Sequence, residues 1–227
     1  MNSILRQYVE WDVINWSKAL KFWESNVTLD NKGLKCLELG GRRGGLSLWL
    51  AIKGNHVICS DFQNPIEAAS AIHSQNSFSG SIDYLAVDAT QIPFENYFDI
   101  VVFKSILGGI SRNGNSQLKQ VVINEVYKSL KPGGKLLFAE NLVASGAHQF
   151  FRKKLTKWGS YWNYLQLDEV NGLFKEFNSL RFGTAGFLGA FARMEYQRNL
   201  LGRLDTLIFD KVVNDKMKYI VFGVATK

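Results

Sequence analysis

The sequence predicts an α/β fold, a mostly parallel sheet with helices on both faces and a reversed last strand. Three observations carry this. Short apolar runs alternate with helical stretches, a glycine-rich turn joins the first run to a helix, and the order changes after residue 141. The 227 residues are 46% hydrophobic and 13% aromatic, enough for one well-filled core. No internal repeat, low-complexity segment or Pro/Ser-rich linker marks a boundary, so a single domain over 1–227 is expected.

Trp11 to Trp23 alternates apolar residues with Asp12, Asn15, Ser17 and Lys18 and reads as an amphipathic helix, so that 1–33 forms a helical cover. The runs 35–39, 56–60, 82–86, 99–104 and 135–140 read as buried strands. Between them, 45–53 reads as a helix with Leu46, Trp49 and Leu50 on one face, and 65–74 and 116–130 as further helices. Gly54 suits a left-handed cap, and Pro132-Gly133-Gly134 stops the last of these helices. Right-handed crossovers follow, and a ligand is expected beyond the carboxyl ends of the strands, in the half formed by 34–141. In 142–227 come a basic aromatic segment, a helix over 168–177, a strand over 180–184, a helical stretch from 187 and a strand over 217–225. The long connection between the two closing strands allows antiparallel pairing and a mixed sheet.

Met1 to Glu10 lacks a charged-then-apolar leader, and the apolar runs fall short of a membrane span, so a cytoplasmic protein is expected. Cys36 and Cys59 lie in strand-like runs, where a thiol acts as a small hydrophobe in a reducing compartment; neither resembles a metal ligand, and no metal is expected. The net charge of +7 favours acidic partners, although an ordinary basic enzyme would share it.

The turn in "LELGGRRGG", Leu37 to Gly45, admits three ligands. A triphosphate loop needs a lysine where Leu46 stands. A dinucleotide loop needs a glycine where Arg42 stands, and Glu38 would repel a pyrophosphate. Glu38 instead suits a cationic group, such as an ammonium or a sulfonium; S-adenosylmethionine carries both, with a ribose diol and an adenine. Matching acids follow at the next strand ends: Asp61 in "HVICSD" to accept ribose hydroxyls, and Asp88 in "YLAVDAT" to accept from the adenine amino group beside the Ala89 backbone.

With "CSDF", "VDATQIPF", "FDIVVFKSIL" and "LKPGGKLLFAEN" in order behind the turn, residues 35–141 resemble the class I S-adenosylmethionine-dependent methyltransferases. The resemblance implies a Rossmann-like, seven-stranded sheet with an antiparallel last strand, and S-adenosyl-L-methionine as cofactor. It implies cofactor contacts from Glu38, Gly40, Gly41, Arg42, Gly44, Asp61, Phe62, Asp88, Ala89 and Lys104. Arg42 departs from the family's central glycine. Either it or Arg43 reaches the methionine carboxylate, or both point to solvent.

The acceptor is read from what is missing. No Asp/Asn-Pro-Pro-aromatic motif stands at "FKSILGG", and no Pro-Cys nucleophile is present. Metal-assisted transfer would need acids where Lys104 stands and beside Glu140 and Asn141. This leaves base-assisted O-methylation, with His148 as the candidate base and Glu140 as the second. "HQFFRKKLTKWGSYWNYLQ", His148 to Gln166, sets cations among aromatics, suited to sugars, bases, phosphates or a membrane interface, or to a plain amphipathic helix. With "GGLSLWLA" and "VVFKSILGGI" it is similar to methyltransferases encoded with bacterial surface-polysaccharide enzymes. That similarity implies a sugar hydroxyl acceptor in a polysaccharide or lipid-linked glycan precursor, at the inner face of the membrane. A small-molecule hydroxyl or carboxylate, then RNA, then cofactor binding without catalysis are the alternatives; no separate RNA-binding module or basic tail favours nucleic acid.

Overall fold

The computed structural model describes residues 3–155 and 161–227. Two helices, α1 (Ser3–Val9) and α2 (Val13–Asn26), precede a βα alternation of β1 (Lys35–Leu39), α3 (Gly45–Ile52), β2 (His56–Asp61), α4 (Ile66–His73) and β3 (Ser81–Ala86). Next come β4 (Phe98–Lys104), the short α5 (Leu107–Ile110), α6 (Gln117–Ser129) and β5 (Leu130–Asn141). The closing part holds α7 (Gly146–Leu155), α8 (Glu169–Leu173), β6 (Ser179–Ala185), α9 (Glu195–Leu204) and β7 (Ile220–Thr226).

The strands form one sheet in the order β3-β2-β1-β4-β5-β7-β6. The first five run parallel; β7 is antiparallel to both β5 and β6, with Leu137 opposite Val224 and Phe182 opposite Gly223. This is the Rossmann-like methyltransferase arrangement. Apolar side chains cover both faces, which is why β1, β4 and β7 read as continuous apolar runs rather than alternating ones. One face packs Trp16, Trp23, Trp49 and Leu50 between α2, α3 and the sheet, and the Trp23 indole N–H donates to the Gly223 carbonyl at 3.0 Å. The other packs Phe103, Phe138, Val122 and Phe174 beneath α6 and α8. Cys36 and Cys59 are buried free thiols whose pKa values burial raises.

Several boundaries differ from expectation; the helical stretch expected from 187 is a 3-10 turn at Gly189–Phe191 followed by α9 from Glu195. The helix foreseen over 168–177 is only Glu169–Leu173, because Phe174 and Phe177 turn inward to stack near Phe138. The last strand begins at Ile220 rather than Met217; Asn214 accepts from the Lys216 N–H and winds 215–217 into a 3-10 turn. β5 begins at Leu130, before Pro132, since Leu130 pairs with Phe98 across a register shift. No helix among the described residues is long and apolar enough to cross a membrane.

Candidate cofactor and acceptor site

Beyond β1 the chain turns through Gly40, Arg42 and Gly44, all left-handed, at φ 64°, 47° and 68°. At Gly40 a Cβ would lie 2.4 Å from Ile106, and at Gly44 2.6 Å from His73, so these two glycines are required by space as well as by φ. Arg42 occupies a backbone well that costs an L-residue about 1–2 kcal/mol, which is the physical sense of glycine at that place in the family pattern. Asp61 holds it there: one carboxylate oxygen accepts from the Arg42 N–H at 3.0 Å and the other from the Phe62 N–H at 2.7 Å.

Glu38 is not turned to a ligand as expected. Its oxygens accept from the Leu46 N–H at 3.2 Å, the Ser47 N–H at 2.8 Å and the Ser47 hydroxyl, closing the N-terminus of α3. The first N–H groups of a helix have no partner in the helix, and this buried acid satisfies two of them. Burial pushes its carboxyl up to about 7 against those hydrogen bonds.

The site has an open half and a filled half. Arg42, Asp61 and Phe62 to Pro65 line a cleft of about 360 Å³ at the end of β2. Asp88, at the end of neighbouring β3, is exposed; one oxygen accepts from the Thr90 N–H and hydroxyl at 2.8 and 2.7 Å, while Ala89 is buried. Both acids therefore stand at adjacent strand ends, Asp61 at the cleft itself.

The other half holds the α1–α2 junction. Glu10 and Asp12 take left-handed φ values of 66° and 46° on either side of Trp11. Between Glu10, Trp11, Glu38, Gly41, Arg42 and Lys104 only about 20 Å³ is open. That is room for one water and far below the roughly 300 Å³ at which ligand pockets begin. Glu10 pairs with Arg42 at 3.6 Å. The Lys104 ammonium, at the end of β4, lies 3.2 Å from the Trp11 ring centre and 4.8 Å from that of Trp16, with no hydrogen-bond partner. Burial pushes its pKa down to about 7, with Glu10 pulling the other way. Lys104, Arg42 and the α3 turn therefore fit the amino-acid end of the cofactor once Glu10 and Trp11 give way. Removing the barrier, Trp11→Ala is expected to speed association of S-adenosylhomocysteine by at least about threefold in stopped-flow fluorescence. An unchanged rate would show that Trp11 is no obstacle.

The junction is anchored from a distance. Tyr219 donates its hydroxyl proton to Asp12, and the Asn15 amide donates to Asp12 at 3.3 Å and to Asp205 at 3.0 Å. Asp205 in turn accepts from the Leu188 and Gly189 N–H groups at 2.8 and 3.0 Å. Trp11 to Trp23, expected as an amphipathic cover helix, carries polar Asp12 and Asn15 on what proves a buried face.

The expectation that His148 serves as a base is not met by this geometry. The side chain is 1% exposed, its Nε2–H donates to the Phe187 carbonyl at 2.8 Å, and Nδ1 accepts from the Ser145 hydroxyl at 2.7 Å. Phe187, Phe191 and Tyr219 enclose the ring, and burial lowers its pKa. Glu140 is likewise engaged: it accepts from the Ile106 and Leu107 N–H groups at 2.6 and 2.7 Å, closing α5 as Glu38 closes α3. His148→Ala should lower stability by about 2–4 kcal/mol in a denaturant titration. Turnover per folded molecule should stay within about tenfold, whereas a loss of about a hundredfold would restore the base role.

These buried acids also set a pH dependence. Burial raises Glu38, Glu140 and Asp12 to about 7, so their contribution to stability is complete below the ordinary carboxylate range and is lost as pH rises through about 7. The thermal midpoint should therefore fall as pH rises from about 5 to just above 7, less steeply in Glu140→Gln. A flat profile in the wild type would contradict this.

The segment His148–Gln166 is divided by the fold, and its Lys157 and Trp158 lie outside the described residues. Arg152 turns inward, donating to the Leu142 and Val143 carbonyls at 2.6 and 3.2 Å with its guanidinium 4.2 Å from the Tyr164 ring centre. Phe150, Phe151, Lys153 and Lys154 face out. Trp162 lies over Gly108 and Gly109 beside the end of β4, so closely that a Cβ at Gly108 would be 2.0 Å from its Nε1. That indole N–H is buried without a partner. No group of three or more His, Cys, Asp or Glu side chains among the described residues could hold a metal.

Residues 37–138 match the family model described as a methyltransferase domain. The ubiquinone/menaquinone biosynthesis C-methyltransferase UbiE of Vibrio campbellii is 29% identical over 113 residues, 48% of this chain and 41% of the relative. The chain thus spans less than half the length of that curated relative. Among solved structures, phosphoethanolamine N-methyltransferase 2 of Haemonchus contortus with S-adenosyl-L-methionine gives a TM-score of 0.61 at 16% identity, over 93% of this chain and 52% of that one. A SAM-dependent methyltransferase of Methanosarcina mazei gives 0.62 at 17%, over 90% and 95%. At these identities the structures speak for the fold. Taken with the sheet order, the domain match shows that residues 37–138 form a class I S-adenosylmethionine-dependent methyltransferase domain.

Proposed function

We propose that this chain methylates a sugar hydroxyl, in a polysaccharide or in a lipid-linked glycan precursor presented at the inner membrane face. The observation that carries this reading is the Trp162 indole beside the end of β4, with a buried N–H that has no partner. A buried donor calls for an acceptor, and a sugar hydroxyl oxygen beside an aromatic ring meets that need.

When bound, S-adenosylmethionine supplies a methyl group on a sulfonium, open to direct displacement. Asp61 would hold the ribose diol, Asp88 and the Ala89 backbone the adenine, and Arg42 with Lys104 the carboxylate that Glu10 now mimics. Trp16, buried beside Lys104, would border that end of the cofactor once Trp11 has moved aside. His148 and Glu140 keep both acceptor groups engaged, so alignment and desolvation are assigned most of the rate.

A second reading, a small-molecule acceptor, is favoured by the curated relative whose name describes C-methylation in quinone biosynthesis. Transfer of labelled methyl to fractionated cell material separates the two. The expected product is an O-methyl sugar released by acid hydrolysis of the envelope carbohydrate fraction and identified by mass spectrometry. Label confined to quinones, to other small molecules or to nuclease-sensitive material would overturn the sugar assignment.

A further inference from the structure

We propose that the outer face of the helix running from Glu195 to Val212 docks the protein on an anionic lipid bilayer. The proposal deepens the lipid-linked reading above and rests on it only for the purpose the docking serves; the surface stands on its own geometry.

The helix continues α9 through a π turn at Asp205–Phe209 and a last α turn at Asp210–Val212. Tyr196, Leu200, Leu207, Ile208 and Val212 point outward, each at least half exposed and four of them above 60%. Residues 196, 200 and 207 fall on one stripe, and the wider π turn lets two consecutive apolar side chains, Leu207 and Ile208, face out together. The acids of the same stretch all turn inward. Glu195 accepts from the Asp12 and Val13 N–H groups at 3.1 Å, Asp205 closes the 188–189 loop, and Asp210 pairs with Lys18 and accepts from the Gly186 N–H. Arg193, Arg203 and Lys211 are exposed and make no ion pair with the described residues. The solvent face is therefore apolar and basic with no exposed acid.

That combination selects among partners. A second copy across a two-fold axis would set these cations against like charges. A nucleic acid would want aromatic platforms, and only Tyr196 offers one among aliphatic side chains. Anionic headgroups over an acyl layer satisfy both features at once. Phe150 and Phe151 on α7 are also exposed, and Phe151 touches Phe191 of the 189–191 turn that precedes the helix, at 5.5 Å between ring centres.

The test is cosedimentation of the full chain with vesicles of phosphatidylcholine alone and of phosphatidylcholine mixed equally with phosphatidylglycerol. Binding to the mixed vesicles should exceed that to phosphatidylcholine by at least about tenfold and weaken with added salt. The Leu200→Ser/Leu207→Ser and Arg203→Glu/Lys211→Glu pairs should each lose at least about tenfold, each basic residue near the surface being worth about fivefold. S-adenosylhomocysteine titrations should be unchanged in both pairs, showing an intact fold. Equal sedimentation of wild type and variants overturns the proposal. So does a concentration-dependent dimer in analytical ultracentrifugation that Leu200→Ser/Leu207→Ser abolishes, since that assigns the face to a second copy. Vesicle binding without methyl transfer to glycan would sink the acceptor reading and leave the docking face in place.

Discussion

Lys104→Met is expected to make the protein more stable and, at the same time, a poorer binder of its cofactor. The Lys104 ammonium is buried against two indole rings without a hydrogen-bond partner. An unsatisfied buried polar group costs about 1–3 kcal/mol, and methionine fills nearly the same volume without it. The native pKa, lowered to about 7, means that the lysine's contribution to stability is complete above its ordinary value and fully lost below about 7. The gain on substitution should therefore be largest on the acid side of neutrality, read as a shift of the denaturant midpoint. Cofactor affinity should move the opposite way. A charge-assisted contact to a carboxylate contributes about 1.5–3 kcal/mol, so the dissociation constant of S-adenosylhomocysteine should rise at least about tenfold. Wild-type affinity should also weaken as pH climbs above about 7, where the free enzyme has lost the Lys104 proton, and Lys104→Met should flatten that dependence. A less stable variant with unchanged affinity would make Lys104 a structural residue.

Asp61→Ala should have the larger effect on binding. Its carboxylate fixes the left-handed Arg42 backbone and the Phe62 N–H while standing at the rim of the open cleft. Removing it frees a strained turn and also deletes the acceptor proposed for the ribose diol. Two charge-assisted hydrogen bonds correspond to at least about a hundredfold in the dissociation constant. Adding Arg42→Gly should recover part of the lost stability, because glycine holds φ near 47° without strain, but not the affinity, since it also removes the proposed carboxylate partner. A fall of less than about fivefold in Asp61→Ala, by calorimetric titration, would remove Asp61 from the cofactor site.

The parallel half of the fold was legible because its signals are local. A buried parallel strand must be apolar on both faces, and "KCLEL" and "FDIVVFK" are nearly so. Asp61 and Asp88 could be placed because strand ends lie beside one another in a parallel sheet. Arg42 was recognised as a departure, and its φ supplies the reason. Other residues were misread because their partners are distant or compete locally. Glu38 has the N–H groups of Leu46 and Ser47 within reach, and a helix N-terminus takes an anion before any ligand does. His148 is held by Phe187, and Val13 by Glu195 from 182 residues away; neither contact leaves a mark in spacing or composition. The closure of the cofactor site by Glu10 and Trp11 depends on that same long-range anchoring, so it could not be read before the fold was known.

Cofactor binding at the glycine turn is expected to displace the Glu10–Trp11 segment. The direct measurement is hydrogen exchange at the Asp12 and Val13 amides, now bonded to Glu195, during titration with S-adenosylhomocysteine. Saturable one-to-one binding with altered protection at those two amides is expected, and neither effect in Asp61→Ala. Binding that leaves their protection unchanged, or no binding by either the wild type or Trp11→Ala, would contradict it.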